Sequence, residues 1–228
     1  MKFNAVAFDL DGTLYPNFRL YARLLPFLLK ELRLVMALGR SRTAIRNSYK
    51  EEECISMDND GDFYDVQARL MGTMLGQAAG KARERTEQLI YRGWEPIFSK
   101  IRLFPHVRET LDAFHRKKVK MAMLSDFPPE AKLKNLDLSG YWDVILCSER
   151  TGRLKPDKKP FLDLISMMGL PPENILYVGN SIPYDVEGAR NTGMKTALIR
   201  PKWKRIPRVR EADFVFYDYR QLRDYVLS

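Results

Sequence analysis

The chain has 228 residues, 45% hydrophobic and 11% aromatic, which is enough apolar material for one large globular domain or two small ones. Its net charge of +9 favours anionic ligands, but no nucleic-acid-binding fingerprint accompanies that charge, so no nucleic-acid partner is expected. Cys54 and Cys147 lie far apart and match no metal-ligand spacing. We interpret them as buried thiols in a reducing compartment and expect a cytoplasmic protein.

The apolar runs of the chain are too short or too charged for a leader or a membrane span. The first run is interrupted by Asp9, so no signal peptide is expected. The strongest run, residues 24–38, contains Lys30, Glu31 and Arg33 and is shorter than a bilayer-spanning helix. We expect no membrane partner. We interpret this run as the core of a helical region, in preference to a dimer surface or a membrane-surface element.

The chain begins with a short strand that ends in two carboxylates. Residues 6–8 are uniformly apolar, which is typical of a buried strand in a parallel sheet. Asp9 and Asp11 follow two residues apart, so on an extended chain they point the same way. Because like charges repel, the pair needs a cation or a shared proton. Gly12 permits a sharp turn there, and the Thr13 hydroxyl can bond a turn or a ligand oxygen.

Residues 16–103 are predicted to be helical. Pro26 is expected to interrupt the first helix, and Gly39 and Gly80 are expected to end or separate later ones. The acidic tract at residues 58–62 lacks the glycine and glutamate positions of a calcium loop, so we interpret it as a loop between helices.

From Phe104 onward the pattern alternates between strands and helices, which predicts a parallel sheet with right-handed crossovers. The first strand belongs to that sheet, so the helical region is an insertion. The predicted fold class is therefore α/β. A Rossmann-like three-layer core with a parallel sheet is formed by residues 1–15 and 104–228, and an inserted all-helical domain by residues 16–103.

The string at residues 8–14, Phe-Asp-Leu-Asp-Gly-Thr-Leu, resembles the signature of the haloacid dehalogenase superfamily, most of whose members are phosphatases. The resemblance implies that Asp9 is the nucleophile that forms an aspartyl-phosphate. It also implies that Asp11 protonates the leaving group and later activates water. A carboxylate nucleophile divides a difficult phosphoryl transfer into two easier steps. In this family such a helical insertion is a cap that closes over the site and selects substrates.

Two later motifs, each after a predicted strand, extend the resemblance. Ser125 stands where the family has a Ser or Thr that holds phosphoryl oxygens, and the backbone N–H of Asp126 would serve the same purpose. Lys155 matches the family's lysine, which offsets phosphate charge and orients the nucleophile. Ser125 and Lys155 are therefore predicted catalytic residues beside the two aspartates, and Gly12, Thr13 and Asp126 are predicted to bind substrate.

The fourth motif, residues 176–189, is similar to the acidic loop that completes the family's metal site. Asp185 matches the second acid of that loop, whereas Asn180 stands where the family has an aspartate. An amide oxygen can still bind Mg²⁺, although one negative charge is lost. The resemblance thus implies Mg²⁺ as the cofactor, held by Asp9, Asp11, Asn180 and Asp185.

The resulting hypothesis is a magnesium-dependent hydrolase of small phosphate monoesters, a monomer or homodimer that acts on a small phosphorylated metabolite. One alternative is a haloacid dehalogenase of the same superfamily, although that chemistry needs no acid at the position of Asp11. A sugar-phosphate mutase and a non-catalytic binding protein on this fold are further alternatives, and Asn180 is the support for the last. The basic tract at residues 200–210 is interpreted as a solvated loop.

Overall fold

A computed structural model describes residues 2–49, 62–201 and 211–228 of the chain. The strands are β1 (Ala5–Phe8), β2 (Lys120–Ser125), β3 (Val144–Cys147), β4 (Ile175–Gly179), β5 (Lys195–Ile199) and β6 (Phe214–Phe216). All pair in parallel, in the order β3-β2-β1-β4-β5-β6. The strand that comes first in the sequence therefore lies inside the sheet, as the predicted Rossmann-like core requires.

Helices lie between the strands along the chain, and they cover both faces of the sheet. Those between β1 and β2 are α1 (Asn17–Lys30), α2 (Leu32–Ser48), α3 (Phe63–Leu75), α4 (Ala79–Thr86) and α5 (Glu95–Phe98), with a π-helical segment at Glu87–Tyr91. A further helix, α6 (Val107–Arg116), also precedes β2, and the helices that follow β2 are α7 (Glu130–Asn135), α8 (Lys158–Met168), α9 (Glu187–Arg190) and α10 (Tyr219–Leu227). A second π-helical segment, Ile182–Val186, precedes α9.

Alternate residues of β1 pack into two separate cores. The side chains of Val6 and Phe8 pack with α6 and α10, while Ala5 and Ala7 face α8 and α9. All four residues are completely buried, and burial of a valine or phenylalanine side chain contributes about 1.5–3 kcal/mol to stability. Helices on both faces explain why the strand is uniformly apolar, and they confirm the predicted three-layer arrangement.

The predicted helix boundaries before residue 49 were wrong. Pro26 lies inside α1, the helix break falls at Glu31, and Gly39 lies inside α2. A proline in a helix interior costs about 3 kcal/mol. However, Leu20 and Leu24 are buried before it, and Phe27 packs on the same core after it. Tertiary packing on both sides of Pro26 therefore outweighs the local preference.

The apolar run at residues 24–38 is only partly a core. Leu34 and Leu38 pack in a buried cluster with α3 and α4, as predicted. Leu29, Leu32 and Met36 are 70%, 52% and 44% exposed, so for this face the prediction of a buried core was wrong. The run spans two helices, and Leu29 on α1 and Leu32 and Met36 on α2 face solvent for about half of their surface or more.

Gly80 lies inside α4 rather than between two helices, so that predicted boundary was also wrong. Asp62 caps α3, because its side chain accepts a hydrogen bond from the backbone N–H of Asp65 at 2.9 Å. Cys147 is buried, as predicted. Cys54, the rest of the acidic tract and most of the basic tract lie outside the described residues.

Candidate active site

The candidate site lies at the carboxyl edge of three central strands. Asp9 follows β1, Ser125 is the last residue of β2, and Asn180 follows β4. Because β1 pairs in parallel with both β2 and β4, these three positions lie at the same edge of the sheet. The strand order reverses direction at this point, and in open α/β sheets such a switch point forms a crevice for ligands.

Asp9 is 6% exposed and its carboxylate has a partner at each oxygen. Oδ2 accepts a hydrogen bond from the Thr13 hydroxyl and Oδ1 accepts one from Lys155 Nζ, both at 2.7 Å. Burial raises the pKa of Asp9 to about 7, a rise that Lys155 opposes and Asp185 reinforces. A shift of this size is typical of acids at functional sites.

Lys155 is buried and bridges two carboxylates. Its Nζ donates to Asp9 Oδ1 and to Asp185 Oδ1, each at 2.7 Å, and to the Tyr177 hydroxyl at 3.3 Å. Burial alone would lower the pKa of Lys155, but Asp185 and Asp9 hold it well above its ordinary value. Lys155 therefore places a cation between two buried carboxylates, where it can offset negative charge that develops beside Asp9.

Asp185 is buried and organises the loop that follows β4. Its Oδ2 accepts hydrogen bonds from the backbone N–H groups of Asn180 at 3.1 Å and Ser181 at 3.0 Å. A Cβ atom on Gly179 would overlap the Asp185 side chain, so glycine is needed for this close approach. These contacts make Asp185 a support for Lys155 and for the loop, and its role as a direct metal ligand stays a prediction.

Asp11 is held by two residues that the sequence did not indicate. Its Oδ1 accepts a hydrogen bond from the Tyr15 hydroxyl, and its Oδ2 accepts one from Lys132 Nζ at 2.5 Å. These two contacts fix the position of the Asp11 carboxylate. Tyr15 lies only four residues from Asp11, so this short spacing was a signal that the two side chains could meet. No sequence signal connects Asp11 with Lys132 in α7.

Asn180 packs directly on the turn that carries the two aspartates. Its Nδ2 donates a hydrogen bond to the backbone carbonyl of Asp11 at 3.2 Å. Gly12 has φ of +89°, and a Cβ atom there would overlap the amides of Asn180 and Asn17. Glycine is therefore required both for the left-handed turn and for the close approach of the loop after β4.

Ser125 and Thr13 differ in what their hydroxyl groups contact. Ser125 is completely buried, and its hydroxyl has no hydrogen-bond partner within the described part of the chain. An unsatisfied buried hydroxyl costs about 1–3 kcal/mol, so a ligand oxygen could bind here favourably. The Thr13 hydroxyl already donates to Asp9. Thr13 thus supports the predicted nucleophile, and its contact with substrate stays a prediction.

The Asp126 side chain ties the helical insertion to the sheet edge. Its Oδ2 accepts a hydrogen bond from Arg46 at 2.5 Å and lies 3.5 Å from Arg42 Nη2, and both arginines belong to α2. Its Oδ1 accepts a hydrogen bond from the backbone N–H of Lys155 at 3.2 Å. Burial alone would raise the pKa of Asp126, but Lys155, Arg42 and Arg46 hold it below its usual value.

A buried ion pair makes a second connection between the insertion and the core. Arg42 contacts Glu149, whose Oε1 also accepts a hydrogen bond from the Tyr91 hydroxyl at 2.9 Å. Burial raises the pKa of Glu149, and Arg42 opposes that rise. The three residues come from distant parts of the chain, so sequence reasoning missed them.

The oxygen atoms that could bind a metal ion at this site come from different kinds of group rather than from a cluster of acidic side chains. Within residues 2–49, 62–201 and 211–228, no three acidic, histidine or cysteine side chains are grouped closely enough to hold a metal. The available donors are the Asp9 carboxylate, the Asp11 backbone carbonyl and, with its amide turned over, the Asn180 side-chain oxygen. Such oxygens suit Mg²⁺, which retains several water ligands, so the residues present fit this ion.

The parallel sheet and the buried carboxylate–lysine cluster at its switch point define an α/β enzyme with its site at the carboxyl edge of the strands. The chain belongs to the haloacid dehalogenase-like hydrolases, because the sequence model of that family matches residues 3–193. The superfamily and the hydrolase class predicted from the sequence are thereby confirmed.

Several sequence relatives are named as phosphatases, which is the enzyme class predicted above. Phosphoglycolate phosphatase of Salmonella paratyphi A is 26% identical over 211 residues, covering 82% of this chain and 77% of that protein. Pyrophosphatase PpaX of Halalkalibacterium halodurans is 25% identical, with coverage of 87% and 84%. Phosphoglycolate phosphatase of Aquifex aeolicus is 37% identical over 98 residues, which are 42% of this chain and 46% of that relative, about half its length.

Solved structures of the family share the whole fold. A phosphatase of the family from Thermococcus onnurineus has a TM-score of 0.64 and 26% identity, covering 99% of this chain and 98% of its own. A 2-haloacid dehalogenase from Pseudomonas syringae has a TM-score of 0.66 and 24% identity, with coverage of 98% and 97%. At that identity the second likeness shows the fold alone.

Across the described ranges, no helix is both long and apolar enough to cross a membrane.

Proposed function

We propose that the protein is a magnesium-dependent phosphatase of small phosphate monoesters that works through an aspartyl-phosphate intermediate. The buried cluster of Asp9, Lys155 and Asp185 at the switch point carries this proposal, because it pairs a carboxylate with a fixed cation. The unpartnered Ser125 hydroxyl at the end of the neighbouring strand supports it. The primary test is release of phosphate from 4-nitrophenyl phosphate by the purified chain with Mg²⁺.

The residues divide the reaction into two steps. First, an oxygen of Asp9 bonds to phosphorus, the bond from phosphorus to the alcohol oxygen breaks, and the alcohol takes a proton from Asp11. Second, Asp11 takes a proton from water as the water oxygen bonds to phosphorus, which releases inorganic phosphate and restores Asp9. Lys155 offsets phosphoryl charge in both steps, and the Ser125 hydroxyl donates to a phosphoryl oxygen.

The proposed ligands for Mg²⁺ are Asp9, the Asp11 backbone carbonyl and Asn180, with Asp185 as the further predicted ligand. When bound, the ion neutralises phosphoryl charge that would otherwise be repelled by the carboxylates. Residues 16–103 are proposed to be the cap that excludes water and selects substrates. Its attachment through Arg46 and Asp126 supports this assignment. The cytoplasmic location and the monomeric or homodimeric state stay predictions.

Removal of the metal is expected to abolish turnover. Metal stabilisation of transition-state charge contributes several kcal/mol, so excess chelator should lower the rate at least about 100-fold, and added Mg²⁺ should restore it. Phosphate release is measured before and after chelation, and a chelator already saturated with Mg²⁺ serves as the control. Undiminished turnover in excess chelator would contradict the magnesium mechanism, and release of halide from 2-haloacids would then identify the dehalogenase alternative.

Replacing Asn180 with aspartate is expected to make both activity and stability more dependent on Mg²⁺. The wild-type amide donates to the Asp11 carbonyl, whereas a carboxylate there would repel that carbonyl unless a cation lies between them. Loss of the donor should destabilise the metal-free protein by about 1–3 kcal/mol. Half-saturation by Mg²⁺ should occur at a lower concentration, and Mg²⁺ should raise the Tm more than in wild type.

The matched control for this change is Asn191→Asp, which adds the same charge at an exposed position outside the site. Activity and Tm are each titrated with Mg²⁺ in the three proteins. If Asn180→Asp shows unchanged or weaker half-saturation, Asn180 does not face the metal. The proposed alignment of the loop after β4 would then be incorrect.

A further inference from the structure

A large cavity opens directly from the candidate site into the helical insertion. Its volume is about 800 Å³, and Asp11 and Lys132 line it at the end nearest the sheet. Residues of α1, α3, α4 and α5 form most of its remaining wall. Cavities of this size hold organic molecules with tens of heavy atoms. The cavity is therefore much larger than a two-carbon leaving group such as that of phosphoglycolate requires.

The wall of the cavity is predominantly apolar and rich in aromatic rings. The aromatic residues that line it are Tyr21, Tyr64, Tyr91, Trp94, Phe98 and Phe127. Met71 and Ile90, both buried, contribute further apolar surface. Aromatic and aliphatic walls bind apolar groups by removing them from water and bind rings by stacking or edge contacts.

The cations along the cavity are already paired. Among the described lining residues, each basic side chain contacts a carboxylate, in the pairs Lys132–Asp11, Arg83–Asp65, Arg92–Glu87 and Arg150–Glu130. Glu95, which is half-buried, also lines the cavity and has no cationic partner in the described part of the chain. A second negative charge on a substrate would meet carboxylates here without a cation left to bind it.

We infer that this enzyme acts on phosphate monoesters whose leaving group is a large, uncharged, mainly apolar alcohol that carries an aromatic ring or a comparable hydrocarbon group. The inference rests on the proposed phosphatase function and specifies the substrate class of that same site. The phosphoryl group is bound beside Asp9, and the alcohol portion extends past Asp11 and Lys132 into the cavity. Phosphate esters that carry a carboxylate or a second phosphate are poor substrates.

The inference is tested with three phosphate esters of unactivated primary alcohols, which separate the effect of the size of the leaving group from the effect of its charge. They are propyl phosphate, 3-phenylpropyl phosphate and the phosphate ester of 3-hydroxypropanoate, whose leaving oxygens are all of the primary alkoxide type. Burial of the phenyl ring should raise kcat/KM for 3-phenylpropyl phosphate at least about tenfold over propyl phosphate. The carboxylate ester should fall below propyl phosphate. Because the comparison uses ratios within one enzyme preparation, differences in active fraction cancel.

Gly80 allows the cavity to be filled without disturbing the fold. It lies in α4 on the cavity wall, and a Cβ atom there meets no other atom within 4 Å. Gly80→Leu should therefore fold and should lower the ratio of kcat/KM for phenylpropyl over propyl phosphate at least about threefold. Gly39→Leu is the matched control. Gly39 is also helical with open space around its Cβ position, but it does not line the cavity, so the wild-type ratio should persist.

A substitution at Glu95 tests whether negative charge on the cavity wall disfavours substrates with a charged leaving group. Glu95→Gln should raise the ratio of kcat/KM for the carboxylate ester over propyl phosphate, because it removes a negative charge from the wall. Glu173→Gln, at an exposed position outside the cavity, should leave that ratio at its wild-type value.

The outcomes distinguish the two levels of the proposal. No turnover of these three esters or of 4-nitrophenyl phosphate, with Mg²⁺ present, would overturn the proposed function and this inference with it. If the enzyme hydrolyses phosphate esters but prefers propyl phosphate or the carboxylate ester to 3-phenylpropyl phosphate, the phosphatase function stands and the inferred substrate class is wrong. An equal effect of Gly80→Leu and Gly39→Leu on the first ratio would also overturn the inference.

Discussion

Replacement of Asp9 by asparagine is expected to lower kcat for phosphate ester hydrolysis at least about 1,000-fold, the range found when a catalytic nucleophile is removed. An amide is a poor nucleophile, so the covalent step fails even though the side chain keeps its shape. The fold should survive, because Lys155 keeps its contact with Asp185 at 2.7 Å and the repulsion between the two buried carboxylates disappears.

The measurement is a comparison of kcat and of the denaturation midpoint for wild type, Asp9→Asn and Asp163→Asn. Asp163 is a half-buried helical residue outside the site whose carboxylate pairs with exposed Lys159, so its replacement should change neither quantity appreciably. Activity of Asp9→Asn within tenfold of wild type, in a preparation free of contaminating phosphatase, would show that another group is the nucleophile.

Replacement of Lys155 by methionine is expected to abolish turnover and to destabilise the protein by about 3–5 kcal/mol, the usual cost of removing one partner from a buried ion pair. Methionine fills a similar volume but leaves Asp9 and Asp185 buried without their shared cation. The phosphoryl group would also lose the positive charge that faces it in the proposed mechanism.

The destabilisation should depend on pH in a defined direction. Burial already raises the pKa of Asp9 to about 7, and loss of Lys155 removes a group that lowers it. A carboxyl group whose folded-state pKa is raised stabilises the fold below its unfolded-state pKa and loses that contribution as pH rises through the folded-state value. The free-energy loss in Lys155→Met should therefore be larger at pH 8 than at pH 5.

Urea unfolding of wild type, Lys155→Met and Lys159→Met at both pH values tests this expectation. Lys159 is exposed and pairs with Asp163 on the surface, so its replacement should have a small effect with little pH dependence. Equal destabilisation of Lys155→Met at pH 5 and pH 8 would mean that the buried carboxylates of Asp9 and Asp185 are not the source of the instability.

The sequence by itself determined the sheet and the positions that face its carboxyl edge. Uniformly apolar segments of four to six residues can be buried on both faces only in a covered parallel sheet, and the polar residue that ends each segment then lies at one edge. This local rule placed Asp9 at that edge, and the resemblance to the haloacid dehalogenase motifs placed Ser125 and Asn180 there with it. It also predicted the alternating strands and helices after Phe104, which the structure contains.

The tertiary structure alone decided which groups hold those positions in place. Lys132 meets Asp11 across 121 residues, and Arg46 meets Asp126 across 80, so no local pattern could have connected them. Long-range packing likewise overrode local preference at Pro26, where the helix continues because residues before and after it are buried in the same core. Strand positions follow from short-range pattern, whereas ion pairs and helix ends depend on which distant surfaces the completed fold brings into contact.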